Sequence, residues 1–253
     1  MKVDLFSIGS FTVHSYGLMI AIGMIAAFFT TEYRAKRASL NPEPVFSLGF
    51  VGIAGGLIGA KVLFWITDIK NIIANPSAIL DIGNGFVVYG GIVGGILAGY
   101  IFCRIKKLSF IKYLDAATPT IALAQGFGRI GCFLAGCCYG APTDAWYGIV
   151  FKNSPYAPNG VSLIPSQLIY SGADFLNFII LSVLTKKLKG DGKISSLYLI
   201  FYSVGRFLLE YIRGDVERGN VGIFSTSQFI SLFVMVLGIV MYVLASKKKF
   251  EKE

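Results

Sequence analysis

An all-α, polytopic membrane protein with seven transmembrane helices, its N-terminus outside and its C-terminus cytoplasmic, is the fold class this sequence predicts. Three observations predict it. Of the 253 residues, 55% are hydrophobic and 15% charged, where a soluble domain carries about 25% charged residues; the mean hydropathy is +0.67. Apolar runs long enough to cross a bilayer as helices recur along the chain. Basic residues gather after alternate runs, as membrane topology requires.

The seven runs fall at roughly 16–31, 45–66, 88–105, 114–134, 166–185, 195–211 and 225–245. The first is short and is expected to extend by a few residues. Clusters Arg34/Lys36/Arg37, Arg104/Lys106/Lys107/Lys112, Lys186/Lys187/Lys189/Lys193 and Lys247/Lys248/Lys249/Lys252 follow runs one, three, five and seven. Only Lys2, Lys70, Lys152, Arg213 and Arg218 fall on the other side. The asymmetry puts the C-terminus in the cytoplasm, and an odd number of spans then puts the N-terminus outside. No internal repeat and no soluble domain interrupts the pattern, so 1–253 reads as a single transmembrane domain with an outer loop at about 139–165. Residues 1–10 lack a basic segment followed by an apolar core and a small-residue cleavage site, so no cleavable signal peptide is expected. The formal charge of +9 lies in short runs between apolar segments and forms no continuous basic face, which excludes nucleic acid as a partner.

Three basic residues remain inside the runs: Lys61, Arg129 and Arg206. Each costs at least about 2.5 kcal/mol in hydrocarbon unless paired or hydrated. Spans two, four and six run outward, which sets all three in or near the outer half. Glu210 follows Arg206 by one turn on the same face, and Tyr202 precedes it by one. Spans one and three run inward, so Tyr16 and Tyr89 stand at their outer ends, with His14, the single histidine, just beyond Tyr16. Five helices thus carry cations and tyrosines to one depth, suited to an anion, and lipid phosphates are present there. Arginine's planar fork matches phosphate. Arg206 and Glu210 can instead be read as a mutually neutralising pair, and Lys61 as a chain that snorkels to the interface; neither reading accounts for Arg129.

Glycines accompany these charges in "GGLIGAK" (55–61), "YGGIVGG" (89–95) and "GFGRIGCF" (126–133). They can serve close helix packing or let a headgroup reach the backbone, and the sequence does not separate the two. The cysteines are Cys103, Cys132, Cys137 and Cys138. A zinc site would show paired C-x₂-C spacing or accompanying histidines, and a disulfide would need Cys137 and Cys138 to join each other or one of them to reach Cys132. The reading adopted is that they are small apolar fillers of a tight turn. The loop at 139–165 holds four prolines and the aromatics Trp146, Tyr147, Phe151 and Tyr156, a composition that anchors to headgroups or covers a cavity.

Six stretches carry a family resemblance: "HSYGLM" (14–19), "GGLIGAK" (55–61), "YGGIVGG" (89–95), "GRIGCFLAGCCYG" (128–140), "PSQL" (165–168) and "FYSVGRFLLEYIRGD" (201–215). In these stretches, and in their order, the chain resembles the prolipoprotein diacylglyceryl transferases. The resemblance implies a bacterial inner-membrane enzyme that moves the diacylglyceryl group of phosphatidylglycerol to the lipobox cysteine of a preprolipoprotein, with glycerol phosphate leaving and no metal or soluble cofactor. It implies that Arg129 and Arg206 are the essential arginines, with Glu210 as the following acid. Tyr16, Tyr202 and Gly140 match further family positions, and Gly90, Gly91 and Gly128 fall in the matching glycine motifs. The chain departs from the family's well-studied members at Tyr89 (His there), Cys132 (Asn), Cys137 (Glu) and Lys61 (Arg), and "PSQLYE" reads "PSQLIY" here.

The implied reaction is an alkyl transfer in which a thiolate attacks a glyceryl carbon. Charge growing on the leaving phosphate calls for fixed cations, Arg129 and Arg206. The thiol, with a free pKa near 8.5, needs help to ionise. His14 is a candidate base, Tyr89 a candidate hydrogen-bond donor to phosphate, and Glu210 an orienter of Arg206; Tyr16, Lys61, Gly90, Gly91, Gly128, Gly140 and Tyr202 would line the substrate site. Two other readings stay open: a relative acting on a different thiol or lipid acceptor, and an anion or lipid transporter, for which inverted repeats or broken helices would speak.

Overall fold

The computed structural model describes residues 3–9, 11–80, 83, 85–215 and 219–250; Lys2, Arg218 and Lys252, counted in the charge asymmetry, lie outside them. A short antiparallel hairpin, β1 (Asp4–Ile8) with β2 (Phe11–His14), precedes helix α1 (Ser15–Arg37). There follow α2 (Pro44–Thr67), the short α3 (Ile69–Ala74), α4 (Val88–Ile105) and α5 (Phe110–Ala135). A two-stranded sheet, β3 (Ile149–Val150) with β4 (Ser162–Leu163), leads to α6 (Ser166–Lys187) and α7 (Lys193–Leu209). A last hairpin, β5 (Asn220–Val221) with β6 (Phe224–Ser225), opens α8 (Thr226–Phe250).

The expected spans find their helices, with ends that differ for physical reasons. α1 runs on to Arg37 and carries Arg34, Lys36 and Arg37 in its last turn, where cations complement the helix dipole. Pro44 opens α2, a position where its missing N–H costs nothing. α3 and the single-turn helix at Pro76–Leu80 lie between apolar runs and are too short to leave a periodic signal.

Among the described residues, five helices are long and apolar enough to cross a membrane: α1, α2, α4, α6 and α8. The expectation of seven such helices is therefore met by five. The two that fall short are α5 and α7, which carry Arg129 and Arg206 within their apolar runs. α5 is 26 residues long but interrupts its apolar surface with Asp115, Thr118, Thr120, Gln125 and Arg129; α7 has 17 residues and spends one on Arg206. Large apolar side chains point outward along the spans, among them Phe50, Ile58, Ile92, Val93, Phe233 and Val236. That arrangement suits a lipid solvent and would be costly in water. The chain is a mostly helical, polytopic membrane protein.

It packs as two compact units, Glu32–Tyr113 and Met1–Thr31 with Leu114–Glu253. The first is built on α2 against α4. Their glycines meet face to face: a Cβ on Gly59 would strike the Gly90 carbonyl, one on Gly90 the Gly59 carbonyl, and one on Gly94 the Gly55 carbonyl. "GGLIGAK" and "YGGIVGG" are thus each other's partners, in the small-residue packing that lets membrane helices touch backbone to backbone. At one end of this pair a small cluster of Ala35, Val45 and Tyr113 is buried, and the Tyr113 hydroxyl donates to the Asn41 carbonyl at 2.7 Å.

The second unit is tied by polar contacts across its helices. Thr31 and Thr120 hydroxyls meet at 2.6 Å, Ser171 donates to the Gly126 carbonyl at 2.9 Å, and Tyr198 donates to Gln125 at 2.8 Å. Asp115 accepts from the backbone N–H groups of Gly192 and Ser195 and from the Ser195 hydroxyl, so it satisfies the opening turn of α7. The segment between α5 and α6 has its own core of Phe151, Ala157 and Leu163, flanked by Phe133, Tyr139 and Ile149. Phe151 is 0% exposed, so it is no interfacial anchor. Trp146, at 95% exposure, with Tyr147 and Tyr156 keeps that character.

Candidate active site

Tyr170 on α6 is the centre of the candidate site. Three guanidinium groups surround its ring: Arg129 of α5 lies 4.6 Å from the ring centroid, Arg206 of α7 5.7 Å, and Arg213, from the segment after α7, 5.8 Å. An aromatic face attracts such cations, and one ring here holds three that would otherwise repel.

Arg206 is the most constrained of the three. It donates to the Tyr170 hydroxyl at 2.6 Å, to Glu210 at 2.5 Å and to Ser227 at 2.7 Å. Glu210 in turn accepts from Ser225 at 3.0 Å. The side chains of Arg206 and Glu210 are 11% and 9% exposed, and removing one partner of such a pair costs about 3–5 kcal/mol because the other charge is left buried. Arg213 pairs bidentately with Asp215. Burial works against the Arg213 charge, but Asp215 and the Cys138 sulfur outweigh it and raise its pKa above the usual value. Arg129 differs from both. Among the described residues, no hydrogen bond or ion pair ends on its guanidinium, whose only recorded support is the Tyr170 face. Asp174, buried on α6, stands within its electrostatic reach but outside bonding distance.

Tyr170, Asp174, Tyr202, Gly205 and Arg206 line one cleft. Tyr202 stacks on Tyr198 with ring centroids 5.7 Å apart, which fixes its place on the cleft wall. Tyr16, in the first turn of α1, packs over Gly131 and shares the electrostatic neighbourhood of Arg129 and of the three cysteines that follow it. A Cβ on Gly128 would meet nothing within 4 Å, so the backbone beside Arg129 is open.

Other expected residues have different surroundings. His14 ends β2, is 63% exposed, and its Nδ1 meets Asp4 at 2.6 Å. Lys61 and Tyr89 belong to the α2–α4 unit, where both stand at the same end of the pair. Lys61 is buried with its ammonium 5.2 Å from the Phe64 ring and 5.3 Å from the Phe86 ring. Tyr89 is exposed in the first turn of α4. Gly90 and Gly91 face α2, so helix packing accounts for both. Gly140 is a backbone junction: its N–H donates to the Ile164 carbonyl at 3.1 Å, it bridges to Arg213, and Ala141 donates to the Ile212 carbonyl at 3.0 Å. A side chain there would sit 2.5 Å from the Ile164 carbonyl. Gly140 thereby holds Arg213 in position.

Sequence reasoning missed Tyr170, Arg213 and Asp174. Asp174 carried a signal, since an acid inside an apolar span is costly unless it has a role. Tyr170 sits where the "PSQLYE" pattern departs to "PSQLIY". Arg213 was counted as an ordinary loop cation, and only its fold reveals a side chain that is 4% exposed.

The fold and this cluster define a polytopic membrane protein in which three arginines from separate segments gather on one tyrosine. The family model for prolipoprotein diacylglyceryl transferase matches residues 3–244, and the chain belongs to that family. It is 48% identical over 242 residues to the phosphatidylglycerol–prolipoprotein diacylglyceryl transferase of Clostridium tetani (strain Massachusetts / E88), covering 96% of this chain and 97% of that protein. It is 43% identical over 255 residues to phosphatidylglycerol–prolipoprotein diacylglyceryl transferase 2 of Clostridium perfringens (strain 13 / Type A), covering 100% and 98%. The enzyme of the same name from Staphylococcus aureus (strain MSSA476) is 31% identical over 246 residues, covering 92% and 85%.

Proposed function

We propose that this membrane enzyme transfers the diacylglyceryl group of phosphatidylglycerol to the lipobox cysteine thiol of preprolipoproteins. The single observation that carries the site assignment is the Arg129 guanidinium, stacked on Tyr170 beside two arginines whose charges are already met by carboxylates. A cation inside a membrane protein without a carboxylate partner is a ready site for an incoming anion, and a lipid phosphate has the geometry that guanidinium forks accept.

In this reading the phosphate of phosphatidylglycerol binds beside the cleft at the Tyr170 ring and takes hydrogen bonds from Arg129, with Arg206 and Arg213 adding positive field. The acceptor thiol loses its proton, and the thiolate sulfur attacks the carbon of the diacylglyceryl group that carries the phosphate ester. A C–S bond forms as the C–O bond to phosphorus breaks, and the bonding pair leaves with glycerol phosphate. The thiol's proton passes to the candidate base and from it to solvent. The arginines act where charge grows, which is how preorganised cations lower such a barrier. Glu210, Ser227 and the Tyr170 hydroxyl orient Arg206. Tyr202 walls the cleft, Tyr16 and Gly128 border the approach to Arg129, and Lys61 and Tyr89 supply further lipid contacts from their own unit. His14 is the candidate base, with Asp4 fixing its ring. The seven long helices span the inner membrane as one domain, N-terminus outside and C-terminus inside, and the cleft opens toward the outer leaflet.

The reading is tested with purified protein, phosphatidylglycerol vesicles and a lipobox peptide. A peptide mass gain of one diacylglyceryl group is expected, and none from the cysteine-to-serine peptide. No gain where a relative of the same family succeeds would refute it.

A further inference from the structure

The cysteine turn assembles something that its spacing does not announce. The sulfur atoms of Cys132, Cys137 and Cys138 all lie within 4.8 Å of one another. Cys132 is in the last turns of α5. The chain then reverses through Gly136, at φ +78°, and Cys138, at φ +60°. A non-glycine residue in the left-handed region costs of order 1–3 kcal/mol and persists only where its surroundings impose it. The imposing contacts are present. The Gln167 amide donates to the Cys137 carbonyl at 2.8 Å and the Ser166 hydroxyl to the Cys138 carbonyl at 2.9 Å. The Cys137 backbone N–H returns to the Cys132 carbonyl at 3.1 Å. Two residues at the start of α6 thus clamp the turn so that three thiols converge.

Simple packing fits this arrangement poorly. Cys137 and Cys138 are only partly buried, and sulfur atoms in van der Waals contact need no strained backbone. All three remain free thiols. The charge environment also has a direction: Arg213, whose side chain is 4% exposed, lies within electrostatic reach of the Cys138 sulfur.

We infer that Cys132, Cys137 and Cys138 form a three-thiolate binding site for a soft, closed-shell cation of the zinc, cadmium or cuprous class. Thiolate is the ligand such ions select. Zinc–sulfur bonds of about 2.3 Å put tetrahedrally arranged sulfurs about 3.8 Å apart, so the three thiols need to close by no more than roughly 1 Å. Binding releases the three thiol protons to solvent and forms three metal–sulfur bonds, with no change of oxidation state. A divalent ion on three thiolates leaves a net negative charge, which Arg213 offsets. The fourth position stays open to water. This site is independent of the transferase reading, since it uses none of the residues assigned to that chemistry as ligands.

The test titrates reduced, full-length protein in lipid nanodiscs with cadmium and follows the ultraviolet thiolate-to-metal charge-transfer band. One equivalent is expected to bind, and excess EDTA is expected to remove it and abolish the band. Cys137→Ser and Cys132→Ser should each weaken binding by more than about tenfold, the lower end of what even a supporting partner is worth. Cys103→Ser, in the other unit, should leave binding unchanged. A single cooperative thermal unfolding transition and a monodisperse size-exclusion profile of the same metal-free variants report whether they are folded. A reduced wild-type protein with no band, a band that survives in folded Cys132→Ser and Cys137→Ser, or a disulfide among the three after isolation under reducing conditions would each overturn the site.

Discussion

The α2–α4 pair and the α5–α8 cluster solve the problem of packing in lipid in opposite ways. In the first, side chains are withdrawn: Gly55, Gly59, Gly90 and Gly94 bring backbones into contact, and the binding force is dispersion at close range. In the second, polar side chains meet: Arg206 alone bonds to Tyr170, Glu210 and Ser227 on three other segments or turns. The glycine contact offers only fit. The arginine cluster offers fixed charge, and charge is what a phospholipid headgroup and a departing phosphate can use. The glycine pair supplies a scaffold of shape, while fixed charge is gathered on and around α5 and α7, the two long helices too polar to be recognised as spans.

That contrast can be broken at either side. The largest effect belongs to Arg129→Ala, expected to lower turnover by more than about 10²-fold while the protein still inserts, because it removes a donor used as charge develops. A steady-state assay with the lipobox peptide, beside a check of membrane insertion, measures this. Glu210→Gln comes next. It leaves Arg206 buried without its counter-charge, so both activity and thermal stability should fall, the latter by about 3 kcal/mol, as read from thermal unfolding in detergent. Gly59→Leu tests the other side: its side chain would strike the Gly90 carbonyl, and overpacking of this kind costs about 1–3 kcal/mol. Stability and yield should fall while Arg129-dependent chemistry persists in whatever protein remains folded. Gly140→Ala should act between the two, since the added methyl presses on Ile164 and shifts Arg213; a lower kcat with nearly unchanged expression is expected. The smallest effect is at Trp146→Ala, 95% exposed, where stability should change by less than about 0.5 kcal/mol and only binding to vesicles should weaken.

Much of the helix layout was legible because hydrophobic length is a local property. A run such as Val88–Ile105 or the core of α8 announces itself without reference to any other segment, and the clusters after α1, α4, α6 and α8 mark the ends. Arg129, Arg206 and Glu210 were legible for the complementary reason: a charge inside such a run is too costly to be incidental. The glycine motifs could be noticed but not interpreted, because whether a glycine admits a ligand or a neighbouring helix depends on what faces it. Gly90 faces Gly59, whereas Gly128 faces open space. Phe151 has the composition of an anchor and the environment of a core. Tyr170 looks like any span tyrosine until α5, α7 and the Arg213 segment are folded against it.

Alone, the sequence determined that this is a polytopic membrane protein of the diacylglyceryl transferase family, because apolar length, charge placement and ordered motifs are written along the chain. The tertiary structure decided which side chains share a place: three arginines on Tyr170, Gly140 holding Arg213, and three thiols in one turn. Proximity between residues distant in the chain arises from packing and hydrogen bonds between segments, and no local pattern encodes it.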